Sequence, residues 1–104
     1  MTVQETIDAT VKGNKVVLYM KGSADFPQCG FSARSVAILR HLGVEFTAVD
    51  VLADPNVREG IKEYASWPTI PQLYIDGEFV GGSDIMMQMF ESGDLERLIR
   101  PENA

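Results

Sequence analysis

The sequence is poor in cysteine, because Cys29 is the only one among its 104 residues. One thiol cannot close a disulfide within the chain, so a self-contained dithiol cycle is excluded. Nor can one thiol supply the four ligands of a tetrahedral zinc ion or an iron–sulfur cluster. Chemistry at Cys29 must therefore use thiols from outside the chain, from a small molecule, a second copy or a partner.

Basic residues and long apolar runs are also scarce. Lys and Arg number 9 against 15 Asp and Glu, which gives a formal net charge of -6 and argues against nucleic-acid binding. No apolar run approaches the roughly 18 residues of a membrane-spanning helix, so no membrane role is expected. The first residues show neither a signal-peptide nor a transit-peptide pattern. We therefore predict a cytoplasmic protein, with an organelle matrix after leader removal as the alternative.

The length and the pattern of apolar residues predict a single domain over residues 1–104, with the element order α-β-α-β-α-β-β-α-α. The expected elements are a helix over 2–13, a strand over 16–20, a helix over 30–42, a strand over 46–51, a helix from the Asp54-Pro55 start to about residue 65, strands over 72–75 and 78–80, a helix over 83–91 and a last short helix from about residue 93. A βαβ unit followed by a helix and a hairpin predicts an α/β fold, a four-stranded mixed sheet flanked by helices on both faces.

Two finer expectations concern the last two helices. Ser83 or Asp84 is expected to cap the helix that follows Gly81-Gly82. The final helix is expected to carry Leu95, Leu98 and Ile99 on one face.

Cys29 lies at the predicted junction of the first strand and the following helix. Backbone N–H groups and the helix dipole converge at that point, and Lys21, at the end of the same strand, adds positive charge. Both effects lower a thiol pKa, so Cys29 is expected to act as a nucleophile or a metal ligand. The alternative is a buried and inert cysteine, which the flanking Gly30 and Ser32 make less plausible.

Cys29 also opens the tetrapeptide Cys-Gly-Phe-Ser, and three further motifs stand in register with it. They are Lys21-Gly22, Trp67-Pro68-Thr69-Ile70-Pro71-Gln72 and Gly81-Gly82-Ser83-Asp84. With these motifs the chain resembles the monothiol glutaredoxins over nearly its whole length. The resemblance implies a thioredoxin-like fold, which is the topology argued above.

The resemblance implies a glutathione site beside Cys29. Its expected members are Lys21, Phe31, Arg58, Lys62, Ile70, Pro71, Gly82, Ser83 and Asp84. The three cations match positions that hold the glycine carboxylate of glutathione, and the Ser-Asp pair matches those that hold its γ-glutamyl end. Pro71 matches the family's cis-proline, beside which the backbone of Ile70 would pair with that of glutathione. Without the resemblance, Arg58 and Lys62 would be interpreted as a solvated helix face.

The resemblance implies one main function and one alternative. In the first, a cluster-bridged homodimer holds a [2Fe-2S] cluster through two Cys29 thiolates and two glutathione molecules. It passes the cluster to apo iron–sulfur proteins and works with a BolA-like protein. In the alternative, Cys29 removes glutathione from protein mixed disulfides. The seven-residue loop between Lys21 and Cys29 goes with poor reductase activity in the family, so any enzyme activity is expected to be weak. A thioredoxin-like scaffold without chemistry is the least favoured interpretation.

Two positions depart from the family pattern. Ser83 stands where many monothiol relatives carry a cysteine, which removes an internal disulfide with Cys29. The loop contains Gly22-Ser23-Ala24 where relatives usually have threonine and proline after the glycine. The missing proline is expected to loosen the loop. Trp67 is expected to be a structural plug that could border the glutathione groove.

Overall fold

The computed structural model describes residues 1–100, and within them the predicted order of helices and strands is confirmed. The elements are α1 (Val3–Gly13), β1 (Val16–Met20), α2 (Gly30–His41), β2 (Thr47–Asp50), α3 (Pro55–Ala65), β3 (Gln72–Ile75), β4 (Glu78–Gly81), α4 (Ser83–Ser92) and α5 (Asp94–Ile99). Residues 101–104 of the predicted domain lie outside the described part. None of the described helices is long and apolar enough to cross a membrane.

The four strands form one mixed sheet in the order β2-β1-β3-β4. β1 pairs in parallel with β2 and antiparallel with β3, and β3 pairs antiparallel with β4 across the turn at Asp76-Gly77. All five residues of β1 are buried, which explains why this strand is a continuous apolar run. The predicted mixed sheet is therefore confirmed.

Helices cover both faces of the sheet because β1 sends alternate side chains to opposite sides. Val16, Leu18 and Met20 join the core that packs against α2, α4 and α5. Val17 and Tyr19 join a second core beneath α1 and α3. The sheet is thus held in place from both sides, and the C-terminal end of β1 is fixed beside the start of α2.

The two finer expectations for the last helices need correction. Neither Ser83 nor Asp84 caps α4, because Gly82 is the N-cap and no side chain bonds to the first turn. Leu98 is 41% exposed, whereas Leu95 and Ile99 are buried. At about 100° per residue, Leu98 lies on the side of Leu95 away from Ile99, at the edge of the buried stripe, so its side chain stays partly exposed.

Candidate active-site groove

Cys29 is the N-cap of α2 and is partly exposed at the end of β1. The sulfur makes no hydrogen bond of ordinary geometry to the backbone of the first turn of α2. The N–H groups of that turn nevertheless favour the negatively charged thiolate. The backbone N–H of Ser32 is the main cause that holds the pKa of the Cys29 thiol below its usual range. Partial burial opposes this, and the N–H of Phe31, the Ser32 hydroxyl and the charge of Lys21 add to it. The predicted thiolate is therefore favoured mainly by hydrogen bonds and less by Lys21.

The loop over residues 22–28 is tied back on itself before it reaches Cys29. Gly22 forms an isolated bridge with Pro27, and the N–H of Gln28 donates to the carbonyl of Lys21 at 2.9 Å. Gly22 has φ +92°, and a Cβ there would lie 2.6 Å from the carbonyl oxygen of Phe26. Only glycine fits this turn without strain. These contacts hold the loop together without a proline at position 24.

Asp50 fixes the base of the same loop from the neighbouring strand. Its Oδ1 accepts the N–H of Gly22 at 2.9 Å and the N–H of Leu52 at 2.8 Å. One carboxylate thus joins the end of β2 to the chain segment that leads to Cys29. No sequence pattern predicts this role of Asp50, because Gly22 lies 28 positions away along the chain.

The opposite wall of the groove is the segment from Trp67 to Pro71. The Ile70–Pro71 peptide bond is cis, which confirms the predicted cis-proline. The buried side chain of Gln72 donates to the carbonyls of Trp67 and Thr69, at 3.2 Å each. Its Oε1 accepts the hydroxyl of Tyr74 at 2.8 Å. Gln72 therefore holds this wall to the sheet, a role that the sequence analysis did not assign.

The third wall is the start of α4. Gly82 approaches the Trp67–Pro71 wall so closely that a Cβ would lie 3.3 Å from the carbonyl oxygen of Pro71. Ser83 is only 6% exposed, whereas Asp84 is exposed. Because these residues begin a ten-residue helix, their N–H groups and the helix dipole attract negative charge.

The structure brings all ten predicted site residues to one groove of about 420 Å³. These residues are Lys21, Cys29, Phe31, Arg58, Lys62, Ile70, Pro71, Gly82, Ser83 and Asp84. Pro68, Thr69 and Ile85 also line it, although the sequence analysis did not assign them to the site. Trp67 borders the groove, as expected, and packs on Phe79 with ring centroids 5.7 Å apart. At 41% exposure it is not the buried plug that was also expected.

The charges of the groove are uneven. Lys21 and Arg58 have no ion-pair partner among residues 1–100, and Lys62 has only a 3.6 Å contact with Glu59. Three cations therefore line the groove in a chain of net charge -6. A larger and more open concavity of about 1070 Å³ lies elsewhere, around Lys15 and Phe46, but no thiol lines it. The smaller groove is the better candidate because it combines an activated thiol with free cations.

No group of three or more His, Cys, Asp or Glu side chains able to hold a metal ion occurs in the described part of the chain. Cys29 is the one thiol, and His41, at the end of α2, packs edge-on against Phe90 with ring centroids 5.3 Å apart. Any metal centre at Cys29 would need ligands from other molecules.

Comparison with known proteins places the groove in a family context. A family model described as glutaredoxin matches residues 16–80. The chain is 55% identical over 93 residues to a monothiol glutaredoxin of Synechocystis, covering 89% of this chain and 87% of that protein. It is 56% identical over 97 residues to a chloroplastic monothiol glutaredoxin of Oryza sativa, covering 93% of this chain and 58% of the rice protein.

A solved structure shows the same likeness in three dimensions. The solution structure of a monomeric truncated mutant of 1-C-Grx1 from Trypanosoma brucei superimposes with a TM-score of 0.88 at 48% identity. The match covers 99% of this chain and 93% of that one. Sequence and fold thus agree with one group of proteins.

Proposed function

The chain belongs to the glutaredoxin family, with monothiol relatives, and we propose that it binds a glutathione-ligated [2Fe-2S] cluster at a dimer interface and transfers it to recipient proteins. The observation that carries the proposal is the geometry of Cys29: a single, accessible, thiolate-favouring cysteine at the edge of a cationic groove. The cluster is the cargo of this activity and leaves with the recipient.

Ligand counting supports a shared cluster. A [2Fe-2S] cluster takes about four sulfur ligands, and each copy of this chain offers one. Two copies supply two Cys29 thiolates, and two glutathione molecules supply the other two. Since these glutathiones are held without covalent bonds to the protein, they can exchange, which suits release of the cluster to another protein.

The groove offers complementary groups for glutathione. Lys21, Arg58 and Lys62 would neutralise the glycine carboxylate, and Arg58 and Lys62 lie one turn apart on α3. The backbone beside the cis peptide bond at Ile70–Pro71 would pair with the cysteinyl residue of the tripeptide, as an added strand pairs with a sheet edge. Gly82, Ser83 and Asp84 would hold the γ-glutamyl end.

A second candidate function is glutathione-dependent thiol transfer, favoured by the lowered pKa of Cys29. The Cys29 thiolate would attack the glutathione sulfur of a protein–glutathione mixed disulfide and release the protein thiolate. A second glutathione thiolate would then attack the same sulfur, release Cys29 and leave as glutathione disulfide. We rank this activity second and expect it to be weak, because of the seven-residue loop before Cys29.

We propose apo iron–sulfur proteins and a BolA-like protein as macromolecular partners, with no nucleic acid and no membrane among them. The acidic net charge of -6 supports the exclusion of nucleic acid. A free thiolate persists where disulfides are not favoured, which supports a reducing compartment, the cytoplasm or an organelle matrix. The relatives include a protein named chloroplastic and one from Synechocystis, in line with either compartment.

The test is anaerobic reconstitution with iron, sulfide and glutathione, followed by absorption spectroscopy and sedimentation. Wild type should gain cluster absorbance and sediment as a dimer, whereas the apo-protein should be a monomer. Cys29→Ser should gain no cluster. Cluster absorbance retained in Cys29→Ser, or a cluster-bound dimer that forms equally well without glutathione, would show that the ligands come from elsewhere.

A further inference from the structure

Three cations, Lys21, Arg58 and Lys62, line the groove together with one carboxylate, that of Asp84 at the start of α4. The end of the groove that the start of α4 forms carries both signs of charge, because Nη1 of Arg34 lies 4.0 Å from Oδ1 of Asp84. One anion beside one cation is complementary to a head group that carries both an ammonium and a carboxylate.

Arg34 lies at the mouth of this end on two grounds. It follows Phe31 by three residues on α2, so the two side chains are neighbours on the helix surface, and Phe31 lines the groove. It also contacts Asp84, which lines the groove from α4. The motifs that suggested the other site residues do not include Arg34.

The Arg34–Asp84 pair leaves hydrogen-bonding capacity on both partners. A separation of 4.0 Å is longer than the roughly 2.7–2.9 Å of a charge-assisted hydrogen bond. The two side chains are 48% and 84% exposed, and such pairs contribute little to stability. A ligand could therefore insert its own charges between the two side chains at low energetic cost.

Ser83 provides an independent sign of a ligand at this end. The residue is only 6% exposed, and its hydroxyl has no hydrogen-bond partner among residues 1–100. It lines the groove, and no buried polar side-chain atom of the described chain is left unpaired, so the hydroxyl reaches the groove surface. A polar group of the ligand would complete its hydrogen bonding.

We propose that Arg34 binds the α-carboxylate of the γ-glutamyl head of glutathione while Asp84 binds its ammonium. Arg34 is then a specificity-determining residue, and the inference rests on the glutathione site proposed above. An α-amino acid carries both charges on one carbon, and the planar guanidinium accommodates a carboxylate in a bidentate manner.

The test compares two ligands that lack a free thiol and so bind without forming a disulfide. One is S-methylglutathione, and the other is its analogue with γ-aminobutyrate in place of γ-glutamate, which keeps the ammonium and lacks the α-carboxylate. Dissociation constants are measured by calorimetry for wild type, Arg34→Gln and Arg97→Gln. Arg97→Gln is the matched control. It removes the same charge from an exposed arginine that is paired with Asp94 on α5.

Arg34→Gln should weaken the binding of S-methylglutathione about two- to fivefold, the upper part of the range expected when one solvent-accessible charged contact is lost. It should leave the γ-aminobutyryl analogue unchanged or slightly tighter, because Asp84 is then free for the ammonium. Arg97→Gln should alter neither constant. Equal effects of Arg34→Gln on both ligands, or none on either, would overturn the role of Arg34 while the glutathione site stands. If wild type bound neither ligand, the proposed function would fall with it.

Discussion

The backbone N–H of Lys21 donates a 3.0 Å hydrogen bond to the Oγ of Ser32, across the whole loop that separates them. Ser32 is fully buried, and this partly buried bond joins the end of β1 to the first turn of α2. Because the Oγ accepts from Lys21, its own hydrogen is available to the sulfur of Cys29, whose pKa the Ser32 hydroxyl helps to lower. Ser32 thus supports Cys29 through both its N–H and its side chain.

Alkylation of Cys29 should reveal this support. The thiolate is the reactive form, so the alkylation rate should rise with pH and level off above the pKa, with a midpoint below the value of about 8.5 for a free thiol. Ser32→Ala should move the midpoint upward, and Lys21→Ala should move it less, because the charge of Lys21 is the smallest of the favourable causes. A wild-type midpoint at the free-thiol value would show that the thiolate is not stabilised.

Replacing Arg58 and Lys62 together by alanine should weaken glutathione-dependent cluster assembly severalfold and leave the thermal midpoint of unfolding nearly unchanged. The fold should tolerate the change because the one ion pair involved, Lys62–Glu59, is 3.6 Å long and its Glu59 side chain is 70% exposed. The matched control is the double variant Lys12→Ala and Lys15→Ala, which removes the same charge near the opposite end of β1. Equal losses in both double variants would indicate a general charge effect and not a glutathione contact.

Gly22→Ala should lower the free energy of unfolding by about 2 kcal/mol or more, because it combines a positive φ with a backbone clash. The added Cβ would lie 2.6 Å from the Phe26 carbonyl oxygen and 2.7 Å from the Gln28 nitrogen. Gly13→Ala is the control, since a Cβ at the end of α1 meets nothing within 4 Å. Urea denaturation of both variants measures the difference, and similar stabilities would contradict the tight closure of the loop.

Gln72→Leu should lower the free energy of unfolding by about 1–3 kcal/mol. It removes the amide that donates to two backbone carbonyls and accepts from a buried hydroxyl. Those groups belong to Trp67, Thr69 and Tyr74. The same variant should also weaken the binding of S-methylglutathione, since the wall of the groove loses its attachment to the sheet. Gln88→Leu, at an exposed position of α4, should change neither quantity. A Gln72→Leu variant with wild-type stability and affinity would contradict this role.

The sequence was most informative where one local signal determined the structure. The apolar run at Val16–Met20 forms the predicted strand, which is buried on both faces. Asp54, before Pro55, caps α3 as expected. The cap of α4 was predicted wrongly because Ser83 has the right chemistry but the wrong position. Its side chain is turned into the groove instead of toward the first turn.

The residues that support the site were harder to find. Asp50 bonds to Gly22 over 28 positions, and no pattern along the chain records such a contact. Gln72 resembles an outward-facing polar residue of a strand, yet it is fully buried, because its amide serves carbonyls of the preceding loop. Contacts of this kind depend on the assembled tertiary structure. The reactive thiol is therefore easier to predict from the sequence than the residues that hold its surroundings in place.

Gly82 approaches Pro71 so closely that two walls of the groove meet there through main chain. The charged side chains along the walls determine which charges are accepted, and none of them takes part in this approach. Selectivity and spacing are thus separate properties of this site. Exchanging the charged positions at either end should redirect the groove to a different small thiol while the distance between its walls stays constant.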